Sequence, residues 1–372
     1  MRTAVTEMFG IDVPILAFSH CRDVVAAVTK AGGLGVLGAT AHTPDALAID
    51  LAWIRDEVKG APFGVDVLLP VKHAETGAKA TAIPAEQLAF VNKLLTDRGM
   101  EPIDGGPIGD GRGSAFGELV DPVAFANRLL EVAFEFPIKL VASALGPPPP
   151  SLIDAARAHD VRVAALAGKV VHAERHAAAG VDLVVAQGSE AGGHTGEITT
   201  MVLVPEVVDA VAPIPVLAAG GIGRGRQIAA ALALGAEGVW CGSVWLTTEE
   251  AETQPVVKEK FLAATSADTI RSRARTGKPA RQLKSAWTEA WDAPGAPSPL
   301  PLPTQYRISE PALFKSEKAA LAGNDGAREL ATYFVGQIVG SMNSVQPTRR
   351  VMLDMVDELI DAGRSVQERL EG

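Results

Sequence analysis

The chain has 372 residues, of which 47% are hydrophobic and 21% are charged. This composition is typical of a globular protein with a large core, and it excludes a disordered chain, which would be poorer in apolar residues. Lys and Arg number 34 against 44 Asp and Glu, so the formal net charge is −10 at pH 7, which argues against a general nucleic-acid or membrane-surface binder because both partners are polyanionic.

Short runs of β-branched residues alternate with Ala-rich stretches of helical period along most of the chain. The runs predict strands at residues 13–18, 33–39, 63–69, 138–145, 162–167, 182–188, 214–219 and 238–246. The stretches between them predict helices at 22–30, 44–58, 151–158, 170–179, 205–211 and 226–234. Strands that alternate with helices pair in parallel through right-handed crossovers. Eight such units predict an α/β fold of the (β/α)8 TIM-barrel type.

A doubly wound sheet is the structural alternative. Such a sheet usually carries the pattern G-x-G-x-x-G after its first strand, where a dinucleotide binds. Here Ala17, Phe18, Ser19 and His20 stand at that position, without a glycine. The sequence therefore favours the barrel.

Two segments interrupt the alternation. Residues 70–121 form a long insertion after the third strand, with a predicted helix at 85–98 and a Gly-rich stretch at 105–117, and long loops at this end of a barrel often act as lids. Residues 250–332 predict a small helical subdomain, with a Pro-rich tract at 294–303. The barrel is then expected to comprise residues 1–249 and 333–372, with a helical tail at 349–370 packed against it.

Cysteine usage is low, with Cys21 and Cys241 alone. This excludes a disulfide scaffold and a zinc site of the CxxC type, and it favours a reducing cytoplasm. The N-terminus has no apolar run typical of a signal peptide. Apolar runs are interrupted well before about 18 residues, so no transmembrane helix is expected.

A glycine-rich turn follows the seventh predicted strand. It contains Gly220, Gly221 and Gly223, and the eighth strand ends in Gly242 and Ser243. Glycines let backbone N–H groups approach an anion closely, and the loops after strands seven and eight form the usual phosphate site of a TIM barrel. Two tight turns without a ligand are the alternative interpretation.

A second motif, QGSEAGGHTG, follows the sixth predicted strand at residues 187–196. Gln187 stands at the strand end and would face the barrel mouth, and the pair Gly192-Gly193 allows a ligand to lie against the backbone. His194 comes next, and histidine is well suited to proton transfer near neutral pH. A loop histidine with a structural hydrogen bond is the alternative.

These motifs strongly resemble the nitronate monooxygenase family, also called 2-nitropropane dioxygenases. The resemblance spans most of the chain and includes Pro14-Ile15, the segment AGGLG at 31–35, FGVD at 63–66, GKPAR at 277–281 and Gly336-Gln337. It implies a TIM barrel with a small helical domain, FMN as cofactor and the histidine of the G-G-H segment as catalytic base.

The resemblance also implies the site residues. His194 takes the place of the catalytic histidine. The flavin phosphate would be held by Ala219, Gly220, Gly221, Gly242 and Ser243. The rest of the flavin would contact Ala17, Phe18, Ser19, Asp66, Gln187, Gly192 and Gly193. The family commonly has Asn at the position of Asp66, and an acidic group there disfavours an anionic reduced flavin unless it is protonated or paired.

The resulting hypothesis is an FMN-dependent oxidoreductase that oxidises alkyl nitronates with O2. Its substrate is a small molecule, and no metal ion is expected. One alternative is a flavin-dependent enoyl thioester reductase that uses NAD(P)H, for which the insertion and the basic run at 271–284 would hold the substrate. The other is a barrel that binds a phosphorylated ligand without redox chemistry. The sequence does not determine the natural substrate or the oligomeric state, for which a homodimer is one option.

Overall fold

A computed structural model describes residues 1–68, 82–104, 122–144 and 146–371. The barrel strands are β1 (Ile15–Ser19), β2 (Leu34–Gly38), β3 (Gly64–Leu68), β4 (Leu140–Ala144), β5 (Arg162–Ala167), β6 (Leu183–Gln187), β8 (Val216–Ala219) and β9 (Gly238–Cys241). These eight parallel strands form one closed barrel in that order, and pairing of Ala17 in β1 with Cys241 in β9 closes it. The predicted (β/α)8 barrel is confirmed.

Helices connect and surround these strands. They are α1 (Ala4–Phe9), α2 (Arg22–Lys30), α3 (Pro44–Val58), α4 (Ala85–Thr96), α5 (Pro122–Phe134), α6 (Pro150–Ala158), α7 (Val170–Ala179), α8 (Thr200–Val211) and α9 (Gly225–Ala233). Local sequence sets their ends, as α3 illustrates. The Thr43 hydroxyl accepts a hydrogen bond from Ala46 N, and Pro44 occupies the first turn, where its missing N–H is not needed.

Strand side chains alternate between two cores. Outward residues such as Val65 and Val67 pack with the helices. Inward residues such as Leu16, Leu140 and Leu217 fill the lumen, where full burial of each stabilises the fold by about 1.5–3 kcal/mol. The sequence did not predict α1, whose Val5 belongs to this inner core. The N-terminal helix therefore covers the amino-terminal end of the barrel.

The last barrel strand is shorter than predicted. The expected strand ran to residue 246, but β9 ends at Cys241 and residues Ser243–Thr247 form a 3₁₀ helix. At Gly242 the backbone leaves the extended conformation, with φ −122° and ψ −61°. Trp245 is buried and its indole N–H donates to Cys241 O. The apolar run Val244-Trp245-Leu246 resembles a strand because both structures can bury such residues.

The segment 250–332 contains strands as well as the expected helices. Its helices are α10 (Pro255–Ala263), α11 (Ala286–Asp292), α12 (Thr304–Leu321) and α13 (Asp325–Leu330). Its strands are β10 (Thr269–Ser272) and β11 (Ala280–Leu283), and they form an antiparallel sheet with β7 (Gly193–His194) in the order β10-β11-β7. This sheet joins the segment to the loop that follows β6. Part of the basic run at 271–284 therefore lies in this hairpin.

The described part of the insertion packs on this segment. Val91 and Leu95 of α4 share a buried cluster with Trp287, Trp291 and Ile308. The Gly-rich stretch at 105–117 lies outside the described residues, as do residues 69–81. The lid thus stays a prediction.

The C-terminal helix α14 (Thr348–Glu371) packs on the barrel through Met352, Met355 and Leu359. It lies so close to the start of α9 that a Cβ on Gly225 would be 2.2 Å from Leu359 N, which explains the glycine. This helix therefore supports the segment that follows the glycine-rich turn. Within the ranges that the structure describes, no helix is both long and apolar enough to cross a bilayer.

Candidate active site

The predicted site residues lie on or just after the carboxyl ends of five barrel strands. These strands are β1, β3, β6, β8 and β9. Because all eight strands are parallel, these ends meet at one face of the barrel, where TIM-barrel active sites are built. The fold therefore brings together residues separated by more than 200 positions in the sequence.

At the end of β1, Phe18 presents its ring to the lumen. It stacks on Trp240 at 6.2 Å between ring centroids. The Ala17 side chain instead packs in the outer core, and the Ser19 hydroxyl accepts a hydrogen bond from Cys21 N. A ligand would meet Ala17 through its backbone alone. Sequence reasoning missed Trp240, because it stands inside an apolar strand run.

His20 also reaches the mouth. Its Nδ1 donates to Gly38 O at 3.1 Å, and its ring meets Phe18 edge-on at 5.0 Å. A Cβ on Gly38 would lie 2.6 Å from that nitrogen, so the glycine is what admits the imidazole. The imidazole of His20 therefore lies beside Phe18 at the end of β1.

Asp66 is a buried carboxyl that faces the lumen. It lies opposite Ala142 in register, and Ala142 belongs to the inner core. Asp66 is 7% exposed, and its carboxyl has no hydrogen-bond partner among the residues described. Burial raises the pKa of Asp66 to about 7. This carboxyl therefore has its hydrogen-bonding capacity available for a bound group.

The turns after β8 and β9 carry backbone donors without acceptors. The N–H groups of Gly221, Ile222 and Ser243 make no hydrogen bond to any described residue. The two turns are in contact, since a Cβ on Gly223 would lie 3.4 Å from Val244 Cβ. Gly221 has φ +70°, a conformation that favours glycine. Such adjacent donors fit an anion like phosphate.

The loop after β6 is held from several sides. The Glu190 carboxylate accepts from Thr200 N and from the Thr200 hydroxyl at 3.0–3.1 Å. Arg281 Nε donates to Ser189 O at 2.8 Å, so Arg281 anchors this loop. Gly192 packs against the Val335-Gly336 backbone, where a Cβ on Gly192 would lie 2.9 Å from Gly336 N. The loop therefore presents its residues from a fixed backbone.

Three of the residues predicted to contact the flavin have free space or unused hydrogen-bonding groups beside this loop. A Cβ on Gly193 would meet nothing within 4 Å, which leaves free space beside the backbone. The Gln187 side chain makes no hydrogen bond to the described residues. The Ser243 hydroxyl accepts from Gly336 N at 2.8 Å and keeps its own proton to donate.

His194 lies in β7, paired with Ala280 of the hairpin. Its Nε2 is 2.9 Å from the Thr276 hydroxyl, whereas its Nδ1 has no hydrogen-bond partner among the described residues. Burial lowers the pKa of His194 to about 4, and the charge of Lys278 contributes further. The ring is therefore neutral at pH 7, with one nitrogen able to accept a proton.

Sequence reasoning missed Thr276, which is 82 positions from His194. The resemblance covered residues 277–281 and ended one residue short of it. A polar residue beside that motif was the only available signal. The pairing itself depends on how the hairpin packs against the β6 loop.

The chain matches known proteins along nearly its whole length. A family model described as nitronate monooxygenase matches residues 2–358. A Mycobacterium tuberculosis protein provisionally named a monooxygenase is 59% identical over 378 residues, covering 99% of each chain. A Staphylococcus aureus protein provisionally named nitronate monooxygenase is 27% identical and covers 96% of this chain and 97% of its own.

The fold has solved counterparts of similar length. The crystal structure of nitroalkane oxidase from Streptomyces ansochromogenes superposes with a TM-score of 0.78 and 28% identity. The match covers 98% of this chain and 100% of the oxidase. The barrel and the segment 250–332 therefore both have equivalents in the oxidase.

Proposed function

Because the chain belongs to the nitronate monooxygenase family, we propose that this flavin oxidoreductase binds FMN and oxidises alkyl nitronates with O2, with His194 as general base. The observation that carries the proposal is the state of His194. Its ring is neutral, its Nε2 is held by Thr276, and its Nδ1 has no hydrogen-bond partner among the described residues. A base must be unprotonated and positioned before it can act.

Three features support FMN as the flavin. The unpaired N–H groups of Gly221, Ile222 and Ser243 suit a terminal phosphate. Arg226 stands where a dinucleotide-binding turn has its last glycine, which favours a mononucleotide. Below its pKa of about 7, Asp66 carries a proton and can donate a hydrogen bond to a flavin acceptor. When bound, FMN supplies the electron acceptor and the reactivity with O2.

The protein's own contribution is proton transfer and positioning. With a nitroalkane, the C–H bond next to the nitro group breaks, its proton goes to His194 Nδ1, and the electron pair stays on the substrate as a nitronate. The charge of Lys278, close enough to act on His194, favours an anion beside the ring. Phe18 and Trp240 form an apolar floor that excludes water.

The proposal is tested with His194→Ala. We expect the variant to retain stoichiometric FMN, and turnover of a neutral nitroalkane, whose C–H proton the base removes, to fall roughly 10²- to 10⁴-fold, the usual contribution of a general base. His172→Ala, on the exposed face of α7, is the matched control and should turn over like the parent. Unchanged turnover in His194→Ala would refute the role of the histidine.

An absorbance spectrum and anaerobic reduction distinguish the alternatives. We expect a flavin band near 450 nm that is bleached by an alkyl nitronate under anaerobic conditions. Bleaching by NADPH and not by the nitronate would favour an enoyl reductase. A protein that does not bind added FMN would favour a non-redox barrel.

A further inference from the structure

Thr276 lies at the turn between β10 and β11 and contacts the imidazole of His194. It is 3% exposed, and its hydroxyl oxygen is 2.9 Å from His194 Nε2. The same oxygen lies 3.1 Å from Lys278 O and 3.3 Å from Lys278 N. One hydroxyl thus has three polar neighbours.

The hydroxyl has a single proton, and this decides the state of the ring. If the proton is donated to Lys278 O, the oxygen accepts from Lys278 N–H and from His194 Nε2–H, and all three contacts are hydrogen bonds. If the proton is donated to His194 Nε2, the contact with Lys278 O is lost. The first arrangement makes one more hydrogen bond, and it requires hydrogen on Nε2 and a lone pair on Nδ1.

Arg275, the residue before Thr276, fixes the turn through its own hydrogen bonds. Arg275 is 3% exposed, forms two hydrogen bonds with the Glu310 carboxylate at 2.6 and 2.9 Å, and donates to Thr332 O. Its guanidinium lies 5.0 Å from the Phe334 ring, and that ring is 6.3 Å from the His194 ring. Arg275 therefore contacts one neighbour of His194, Phe334, and directly precedes the other, Thr276, in the chain.

We infer that Thr276 is a positioning residue for His194: its hydroxyl selects the tautomer with hydrogen on Nε2 and leaves Nδ1 to receive the substrate proton. A neutral imidazole can place its hydrogen on either nitrogen, and only the selected form offers a base at Nδ1. This inference rests on the proposed role of His194 as base. It also explains why the hairpin, and not the barrel, completes the site.

The tautomer can be read without turnover. Histidine labelled with ¹⁵N in the ring is incorporated into the flavin-loaded protein, and the His194 signals are assigned by their loss in His194→Asn. We expect a protonated Nε2 and an unprotonated Nδ1 in the parent. Thr276→Val should lose this single form, and Thr276→Ser, which keeps the hydroxyl, should recover it. Hydrogen on Nδ1 in the parent would overturn the inference, whatever the variants do.

Turnover supplies the second measurement. Thr276→Val is expected to lower kcat for a neutral nitroalkane by roughly 10- to 100-fold with FMN still bound, because a misplaced base loses most of its effect. Thr276→Ser should recover most of that loss. A changed tautomer with unchanged kcat would exclude a positioning role for Thr276. Failure of the proposed function is separate, since it would appear as unchanged turnover in His194→Ala.

Discussion

At the scale of single residues, the position of Asp66 has a cost for the fold in the absence of a ligand. Its carboxyl is buried without a partner among the described residues, and its pKa rises from 3.8 to about 7. The folded state therefore holds the proton more tightly than the unfolded state, so stability falls as pH rises from about 4 to 7 and is constant above. This rise corresponds to roughly 4 kcal/mol, an upper estimate for one group.

Asp66→Asn removes this titration. We expect the variant of the flavin-free protein to gain stability relative to the parent as pH rises from 4 to 7, with no further gain at pH 8. Urea unfolding at pH 4, 5.5, 7 and 8 measures the difference. The exposed Asp209→Asn controls for the loss of one carboxyl. A difference that does not change with pH would contradict an ionisable Asp66 in the lumen.

At the scale of elements, the conformation of the turn between β8 and α9 positions the N–H groups that are proposed to bind the flavin phosphate. Gly221 has φ +70°, and a Cβ there would lie 3.2 Å from Glu190 Cβ. A larger side chain would shift the turn and its unpaired N–H groups. Gly221→Leu is therefore expected to weaken FMN binding at least tenfold, a loss of about 1.4 kcal/mol, measured by fluorescence titration of the flavin-free protein.

A matched substitution separates backbone strain from flavin binding. Gly323 has φ +95° after α12, and a Cβ there would meet nothing within 4 Å. Gly323→Leu should strain the backbone in the same way and leave FMN affinity unchanged. Equal losses of affinity in both variants would mean that the turn after β8 does not hold the flavin.

At the scale of the whole molecule, the insertion after β3 and the segment 250–332 share one core. Leu95 of α4 is fully buried in the same cluster as Ala274, two residues before Thr276. Leu95→Ala is expected to destabilise the protein by about 2–5 kcal/mol, as the loss of a buried leucine usually does. Thermal and urea unfolding measure this loss.

An exposed leucine provides the comparison. Leu353 of α14 is 46% exposed, and Leu353→Ala should change stability by no more than about 0.5 kcal/mol. Similar effects of the two substitutions would show that α4 is not part of the core around Trp287. The helix would then be a separate element on the surface.

The strand positions, the barrel and the motif residues could be predicted from the sequence because they depend on local properties. Alternation of apolar runs with helical stretches set the eight strands, and glycines at the ends of β8 and β9 marked the turns with free N–H groups. The limits of this reasoning appear at β9. Its apolar continuation suits a strand and a 3₁₀ helix equally, and the structure has the 3₁₀ helix, with the backbone leaving the extended conformation at Gly242.

The sequence by itself determined which residues the barrel gathers at one face, because parallel strands bring their carboxyl ends together regardless of their distance along the chain. Only the tertiary structure decided how His194 is held. Its partner Thr276 belongs to a hairpin whose pairing with β7 leaves no periodic signal in either segment. The charge of Asp66 was likewise decided by the lumen, since burial without a partner is a property of the packed barrel and not of the residue.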